Sequence, residues 1–511
     1  MMIKNKIVRD TLLLTVMQLL LDTASLFMNA FITRRLGAEA IGILSLMGSF
    51  LGLAGIISNG NAFLCTSRLI SEETGRENGS PEGVLAHGIK LCLLLSGIVS
   101  AVLVFSAEPL SSRFFSGADM AASVRLMPAA LIAGAVSACL KGYFNAMRRA
   151  GIAAAADIVD FAVRSAVIMT MTLAVGACSE GDICRTLIIS IISGNTASLL
   201  FLAAAFLKLR SPSSGRSTLT MREYAKLAFP IMGGGLLTAV LSSTNDALIP
   251  ACLRQYGDST ADALSLFGIF EAIVIPALFF PSVVLCSVSG LIVSESARAS
   301  AGGNSGRIRS MTAKIVEYTM LYSIFASSVL MRFGGMIGAV MGGGELGGSM
   351  IRYIAPVVPF IYMEIVLEAM IKGMGMQSFS SLNYLAEYVI RISAVLILVP
   401  RIGFYGIAVS YYASNIFGNV MRLVKVLRAG GVPLRPVRTV LLPGAYAFLT
   451  LNGAELLVRT FGTGCNLLTE AIAVLTVWIM LYGAIIILRV NNKTKKPNSN
   501  VFDVQNKQLY T

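Results

Sequence analysis

Two acid–arginine pairs stand inside stretches where charge is costly. The segment ADIVDFAVRSAVI places Asp160 four residues before Arg164, and LNYLAEYVIRISAVLI places Glu387 four residues before Arg391. Residues at i and i+4 share a helix face and can pair. In hydrocarbon each costs about 2.5–3.5 kcal/mol on insertion scales, so they are expected to face the protein interior. The two pairs lie 227 positions apart, which points to a duplicated unit. Other polar residues also fall within apolar runs: Asp22 in the first, Asn245 and Asp246 in the seventh, and Glu271 in the eighth. They could meet a polar cargo, carry a coupling ion, or close two halves through hydrogen bonds. Arg34, Arg35 and Arg254 end the first and seventh runs, where they could gate the outer side or simply reach the interface. Glu73, Arg76, Glu295 and Arg298 end the second and eighth runs and read as a symmetric cytoplasmic latch or as solvated helix ends. Glu364 and Glu368 share a face of the tenth run; they could hold a cation or pair with Lys372.

The elements that must position these residues are membrane helices. The 511 residues are 55% hydrophobic and only 13% charged, and the mean hydropathy is +0.76. We count about fourteen apolar stretches, from 11–32 to 468–489, each long enough to cross a hydrocarbon core of about 30 Å. The basic start MMIKNKIVRD, with no small-x-small cleavage site, predicts an uncleaved first helix. The formal charge of +14 is topological rather than a nucleic-acid footprint. About 28 of the 41 Lys and Arg fall on loops and flanks of one side, including Lys4, Arg9, Arg216, Arg222, Arg422, Lys425, Arg428 and Lys493. That asymmetry predicts cytoplasmic termini. The single histidine, His87, and eight scattered cysteines give no metal-ligand spacing, so no metal site is expected; Cys178 and Cys184 flank one external loop and could pair.

The duplication extends beyond the acid–arginine pairs. SRLISEETGR (67–76) matches SGLIVSESAR (289–298), RRLGAEA (34–40) matches RQYGDST (254–260), Asn195 falls opposite Asn415, and Pro128 opposite Pro356. Six spans per unit is an even number, so the repeats are parallel. The expected fold class is an all-α integral membrane protein: two parallel six-helix lobes plus two C-terminal helices. The expected divisions are an N-lobe at 1–210, a cytoplasmic linker at 211–223, a C-lobe at 224–430, extra helices at 431–490 and a disordered cytoplasmic tail at 491–511. No loop is large enough for a soluble catalytic domain, so no catalytic residues are expected. Pro230, Pro250, Pro276 and Pro281 should bend the seventh and eighth helices. Gly233–Gly235 follow no strand and precede no Lys-Ser/Thr, so they are not a phosphate loop.

Four motifs carry a resemblance: LKGYFNAMRRAG followed by acid-x-x-x-Arg, IAPVVPF, STNDALIP-x-x-LRQYG, and RRLGAEAIGI. Over roughly residues 5–430 the chain resembles the polysaccharide-biosynthesis branch of the multidrug/oligosaccharidyl-lipid/polysaccharide exporter superfamily, nearest the stage V sporulation protein B group and more distantly the lipid II flippase. The resemblance implies alternating access between two lobes in the cell membrane. It also implies a lipid-linked saccharide or peptidoglycan precursor as cargo, and a tail groove on the last two helices. A substrate-binding cavity would then take in Asp22, Asn29, Arg34, Asn245, Asp246, Arg254 and Glu271. Relatives often carry a cation in the outer half of the first helix, where this chain has Asn29. The expected partners are lipid-linked cargo and membrane lipids, not nucleic acid, for a monomeric chain. No cofactor is expected beyond a coupling ion, Na+ or H+. The competing readings are a multidrug or metabolite cation antiporter, kept open by Asp22, and a membrane-embedded polymerase or glycosyltransferase.

Overall fold

The computed structural model describes residues 2–74, 80–114, 121–174, 180–209, 220–433, 436–461 and 467–494. Among them are fourteen long helical spans. The first lobe holds α1 (Met2–Leu36), α2 (Ala38–Asn59, continuing as Ala62–Thr74), α3 (Pro81–Phe105), α4 (Ala121–Ala146), α5 (Ala150–Ala174) and α6 (Glu180–Leu209). In the second are α7 (Met221–Tyr256), α8 (Thr260–Ile269 through Val283–Ala301), α9 (Ser305–Val340), α10 (Gly344–Ile354 through Val358–Gly373), α11 (Gln377–Ile402) and α12 (Phe404–Gly430). Then follow α13 (Val437–Leu441 and Leu442–Phe461) and α14 (Leu467–Thr494). The described residues hold 12 helices long and apolar enough to cross a membrane. The two spans outside that number are α5, whose apolarity is lowered by Asp157, Asp160 and Arg164, and α12, whose apolarity is lowered by Tyr411, Tyr412, Asn415 and Asn419 ahead of Arg422, Lys425 and Arg428.

The duplication reappears as packing. In the first lobe α2 packs on α4, α3 on α4, α4 on α6, α5 on α6 and α1 on α5; in the second, α8 packs on α10, α9 on α10, α10 on α12, α11 on α12 and α7 on α11. The seventh helix nevertheless begins in the first lobe. Thr220 and Glu223 form a capping box that starts α7. One turn on, Tyr224 is buried with Cys65, Cys92 and Phe144, and its hydroxyl lies 2.8 Å from that of Thr66. The outer end of α7, with Ile249, Cys252 and Leu253, joins the second lobe's core. The range 224–430 therefore opens with residues held by the first lobe. Of the linker, 211–219 lie outside the described residues, as do Arg76, Cys178 and the tail from 495 onward. Cys184 is buried.

Two helices are broken where the sequence supplies the means. In α2 the break falls at Gly60 and Asn61, both at φ 55°. Glycine takes that backbone freely, and asparagine is the side chain that tolerates it best. The chain of α8 passes through a π turn at Phe270–Val274 and a 3-10 turn at Phe280–Ser282. Pro276 and Pro281 have no N–H to give to the preceding turn. Neighbouring side chains take up carbonyls around these breaks: Tyr362 donates to Leu278 O at 2.7 Å and Tyr322 to Pro281 O.

The last two helices dock on α9 through one aromatic cluster. Trp478 is fully buried and donates to Ala447 O at 3.1 Å and to Thr450 Oγ1 at 3.0 Å. Phe325 of α9 meets its ring edge-on at 5.1 Å and stacks on Tyr482 at 4.5 Å. Between helices in lipid, such packing and hydrogen bonds are the cohesive forces. Trp478→Ala is expected to lower stability by about 3 kcal/mol, read as an earlier thermal transition of the purified protein in detergent. An unchanged transition would show that this cluster does not hold α13 and α14.

Candidate functional site

The lobes meet along a polar seam that starts from two glycines. Gly42 of α2 and Gly268 of α8 cross backbone to backbone. A Cβ on Gly42 would lie 1.9 Å from Leu264 O, and one on Gly268 would lie 2.4 Å from Gly42 N. Small residues are what allow two membrane helices to approach so closely. Around this crossing, side chains bridge the lobes. Asn29 Nδ2 donates to Ala272 O at 3.1 Å, a carbonyl in the turn that precedes Pro276. Ser49 Oγ donates to Asp246 Oδ2 at 2.6 Å, and Ser243 Oγ donates to Ser49 O at 3.1 Å. Arg34 donates to Val340 O. These contacts run from the end of the bundle where α1 and α7 finish inward to Ser49 and Ser243.

The structure thus gathers Asn29, Arg34 and Asp246 at one seam. Asn245, largely buried, points its amide at Asp246 Oδ1 at 3.3 Å. Glu271 sits in the π turn next to Ala272. Asp22 lies lower on α1, where it accepts from Gln18 Nε2 at 2.8 Å. Arg35 is exposed on the final turn of α1, and Arg254 is exposed at the end of α7. The latch residues find partners within their own units: Glu295 pairs with Arg298 at 3.1 Å and with Arg307, while Glu73 is buried and accepts from Ser80 N at 3.3 Å.

The largest departure from the sequence reading is Arg422. It was placed among the cytoplasmic flanking cations, but it is fully buried within α12. The reason is local: α12 continues eight residues further, to Gly430, so Arg422 falls inside the bundle. Its guanidinium contacts Glu387 at 2.9 Å, Glu364 at 3.1 Å and Glu368 at 3.4 Å. Arg391 completes the network, at 3.2 Å from Glu387 and 3.0 Å from Ser414 Oγ, with its charge over the rings of Tyr411 and Tyr388 at 4.6 and 5.0 Å. Lys372 reaches Glu368 at 3.4 Å. Arginine's planar set of donors suits such shared carboxylate binding. Asn415, Asn419 and Arg422 fall at i, i+4 and i+7, a polar stripe that could have revealed a buried face.

Among the described residues the first lobe has no such network. Asp160 and Arg164 pair at 2.6 Å. Carried back by the offsets of the matched prolines and asparagines, Glu364, Glu368 and Arg422 correspond to Val136, Leu140 and Leu202. The duplicated pair is therefore shared, but the surrounding charge belongs to the second lobe alone. Asp246 and Glu271 have no ion pair among the described residues, unlike Glu364, Glu368 and Glu387.

A multi-pass helical bundle of two repeated lobes, joined by a polar seam and carrying two appended helices, has the architecture of a membrane transporter of the multidrug/oligosaccharidyl-lipid/polysaccharide exporter fold. Solved structures share it. A lipid II flippase MurJ in an inward closed conformation superposes with TM-score 0.67 at 14% identity, covering 94% of this chain and 99% of its own. An inward-facing multidrug resistance transporter of the MATE family gives TM-score 0.64 at 15% identity, covering 80% of this chain and 95% of its own. Stage V sporulation protein B of Bacillus subtilis (strain 168) is 19% identical over 438 residues, 83% of this chain and 84% of that protein. Residues 7–292 match the model of the family described as polysaccharide biosynthesis protein, and the chain belongs to that family.

Proposed function

We propose that the chain is a flippase that moves a lipid-linked saccharide or a peptidoglycan precursor across the bacterial cytoplasmic membrane by alternating access, with both termini cytoplasmic. The observation that carries this reading is the polar seam between two repeated lobes, in a member of the polysaccharide biosynthesis family. Cargo of this kind needs no covalent chemistry. It needs a polar path for the headgroup, cations for the phosphates and a lipid route for the tail. Asp22, Asn29, Asn245, Asp246 and Glu271 supply the polar wall, and Arg34, Arg35 and Arg254 meet the phosphates at the outer end. The docked pair α13 and α14 offers the tail a flank outside the lobes. Asp246 and Glu271, with no arginine paired to them, are the carboxylates suited to carry a coupling Na+ or H+. Glu364 and Glu368 are already neutralised by Arg422 and Lys372. The Glu73, Arg76, Glu295 and Arg298 set serves as the cytoplasmic latch in the opposite conformation, when the outer crossing opens.

The competing antiporter reading draws on the multidrug transporters of the same fold. Their coverage of this chain favours the flippase: the MATE-family structure aligns with 80% of it and the MurJ structure with 94%. Native mass spectrometry of the purified protein with an undecaprenyl-diphosphate-linked saccharide tests the cargo. Retention should fall about tenfold in Arg34→Ala or Arg254→Ala, as the loss of one charge-assisted phosphate contact implies. Binding of ethidium-like cations, with no retention of the lipid, would replace this reading with the antiporter.

A further inference from the structure

Outside the seam, a second site lies where α9, α12 and the start of α13 meet. It is a cavity of about 580 Å³ at the end of the bundle where α9 begins and α12 ends. Its floor is apolar, formed by Met320, Met363, Leu423 and Leu427. Three cations stand at its walls: Arg309, Lys314 and Arg438. Arg438 belongs to the π turn Val437–Leu441 that opens α13, and it is engaged by Glu317 at 3.6 Å. Arg309 and Lys314 are exposed and have no ion pair among the described residues. No lining residue comes from the first lobe, so the cavity is separate from the inter-lobe path.

We propose that this cavity binds an anionic phospholipid of the bulk membrane, with its phosphate against Arg309 and Lys314 and its upper acyl chain on the Met320–Leu427 floor. Basic pockets between helices near the membrane surface are suited to anionic headgroups. A purely electrostatic patch would not need the apolar floor, and a purely apolar groove would not place two cations at its mouth. The bound lipid bridges α9 and α12 to the base of α13, and so ties the appended pair to the second lobe. This site does not depend on the identity of the cargo headgroup, since it shares no residue with the seam.

The test is lipid retention by the full-length protein, measured by native mass spectrometry after exchange into phosphatidylglycerol, phosphatidylcholine or undecaprenyl phosphate. The wild type should retain phosphatidylglycerol in preference to phosphatidylcholine. The double variant Arg309→Gln/Lys314→Gln should lose about thirtyfold in affinity, at roughly one kcal/mol per cation removed. Leu423→Trp, which leaves every charge in place but fills the floor, should also lose the lipid; the thermal transition of each variant checks that it is folded. Equal retention of the two phospholipids, or retention unchanged in both variants, would overturn the proposal. Displacement of phosphatidylglycerol by undecaprenyl phosphate at equal concentration would also overturn it, by assigning the cavity to cargo.

Discussion

Arg422→Leu is expected to destabilise the protein by about 3–5 kcal/mol, the cost of stranding buried charge when one partner is removed. Arg422 contacts Glu364, Glu368 and Glu387. Without it, Arg391 and Lys372 face three carboxylates inside the bundle. Thermal unfolding in detergent should register the loss as a large fall in the transition. The loss should be recovered in part by adding Glu364→Gln, which removes the one carboxylate charge left uncompensated, since Lys372 still pairs with Glu368 and Arg391 with Glu387. Arg422→Lys should stand between the two, because an ammonium keeps the charge but cannot span three carboxylates as a guanidinium does. A transition unchanged in Arg422→Leu would mean that the carboxylates are neutral or otherwise compensated, and that the network does not hold the second lobe together.

Gly42→Val should force the lobes apart at the outer end. No side chain fits at Gly42, since even a Cβ would sit 1.9 Å from the Leu264 carbonyl oxygen. Overpacking of this kind costs about 1–3 kcal/mol. Under the proposed alternating access the crossing belongs to the closed-outer state, so the cost should fall on that state. The ratio of closed to open should therefore shift by about 5- to 150-fold. Spin labels at Arg35→Cys and Leu346→Cys, at the outer ends of α1 and α10, should report a longer distance than in the parent protein. Transport should fall because the protein no longer returns to the closed-outer state. An unaltered distance in a folded Gly42→Val protein would remove the crossing from the gating mechanism.

Much of the architecture was legible because it is written in apolar runs and costly charges. Asp160–Arg164 and Glu387–Arg391 disclosed the duplication, and the same two pairs mark equivalent helices of the two lobes. The polar residues Asn29 and Asp246 stand out within spans, yet their partners could not be read. Ala272 O is available to Asn29 only after α8 turns through its π segment, and Ser49 is an ordinary helix serine until α7 is laid beside α2. Gly42 and Gly268 were invisible as a pair because a close crossing is a property of two helices, not of either sequence. Arg422 was misplaced for a related reason. Counting cations toward loop ends cannot distinguish a flanking arginine from one held inside by carboxylates on two other helices. Tyr224 shows the same limit at a boundary, since its lobe is decided by Thr66 and not by its position after the linker.

The central claim is transport of a lipid-linked cargo through the seam, and the most direct measurement is made in proteoliposomes. The purified protein is reconstituted with a fluorescent undecaprenyl-diphosphate-linked saccharide, and the fraction of headgroup reached by a membrane-impermeant quencher is followed with time. The account predicts that the wild type exposes label from the inner leaflet, while Asp246→Asn, folded and equally reconstituted, does so at no more than about a tenth of that rate. Equal quenching in wild-type and protein-free vesicles, with efflux of a cationic dye by the same preparation, would contradict it.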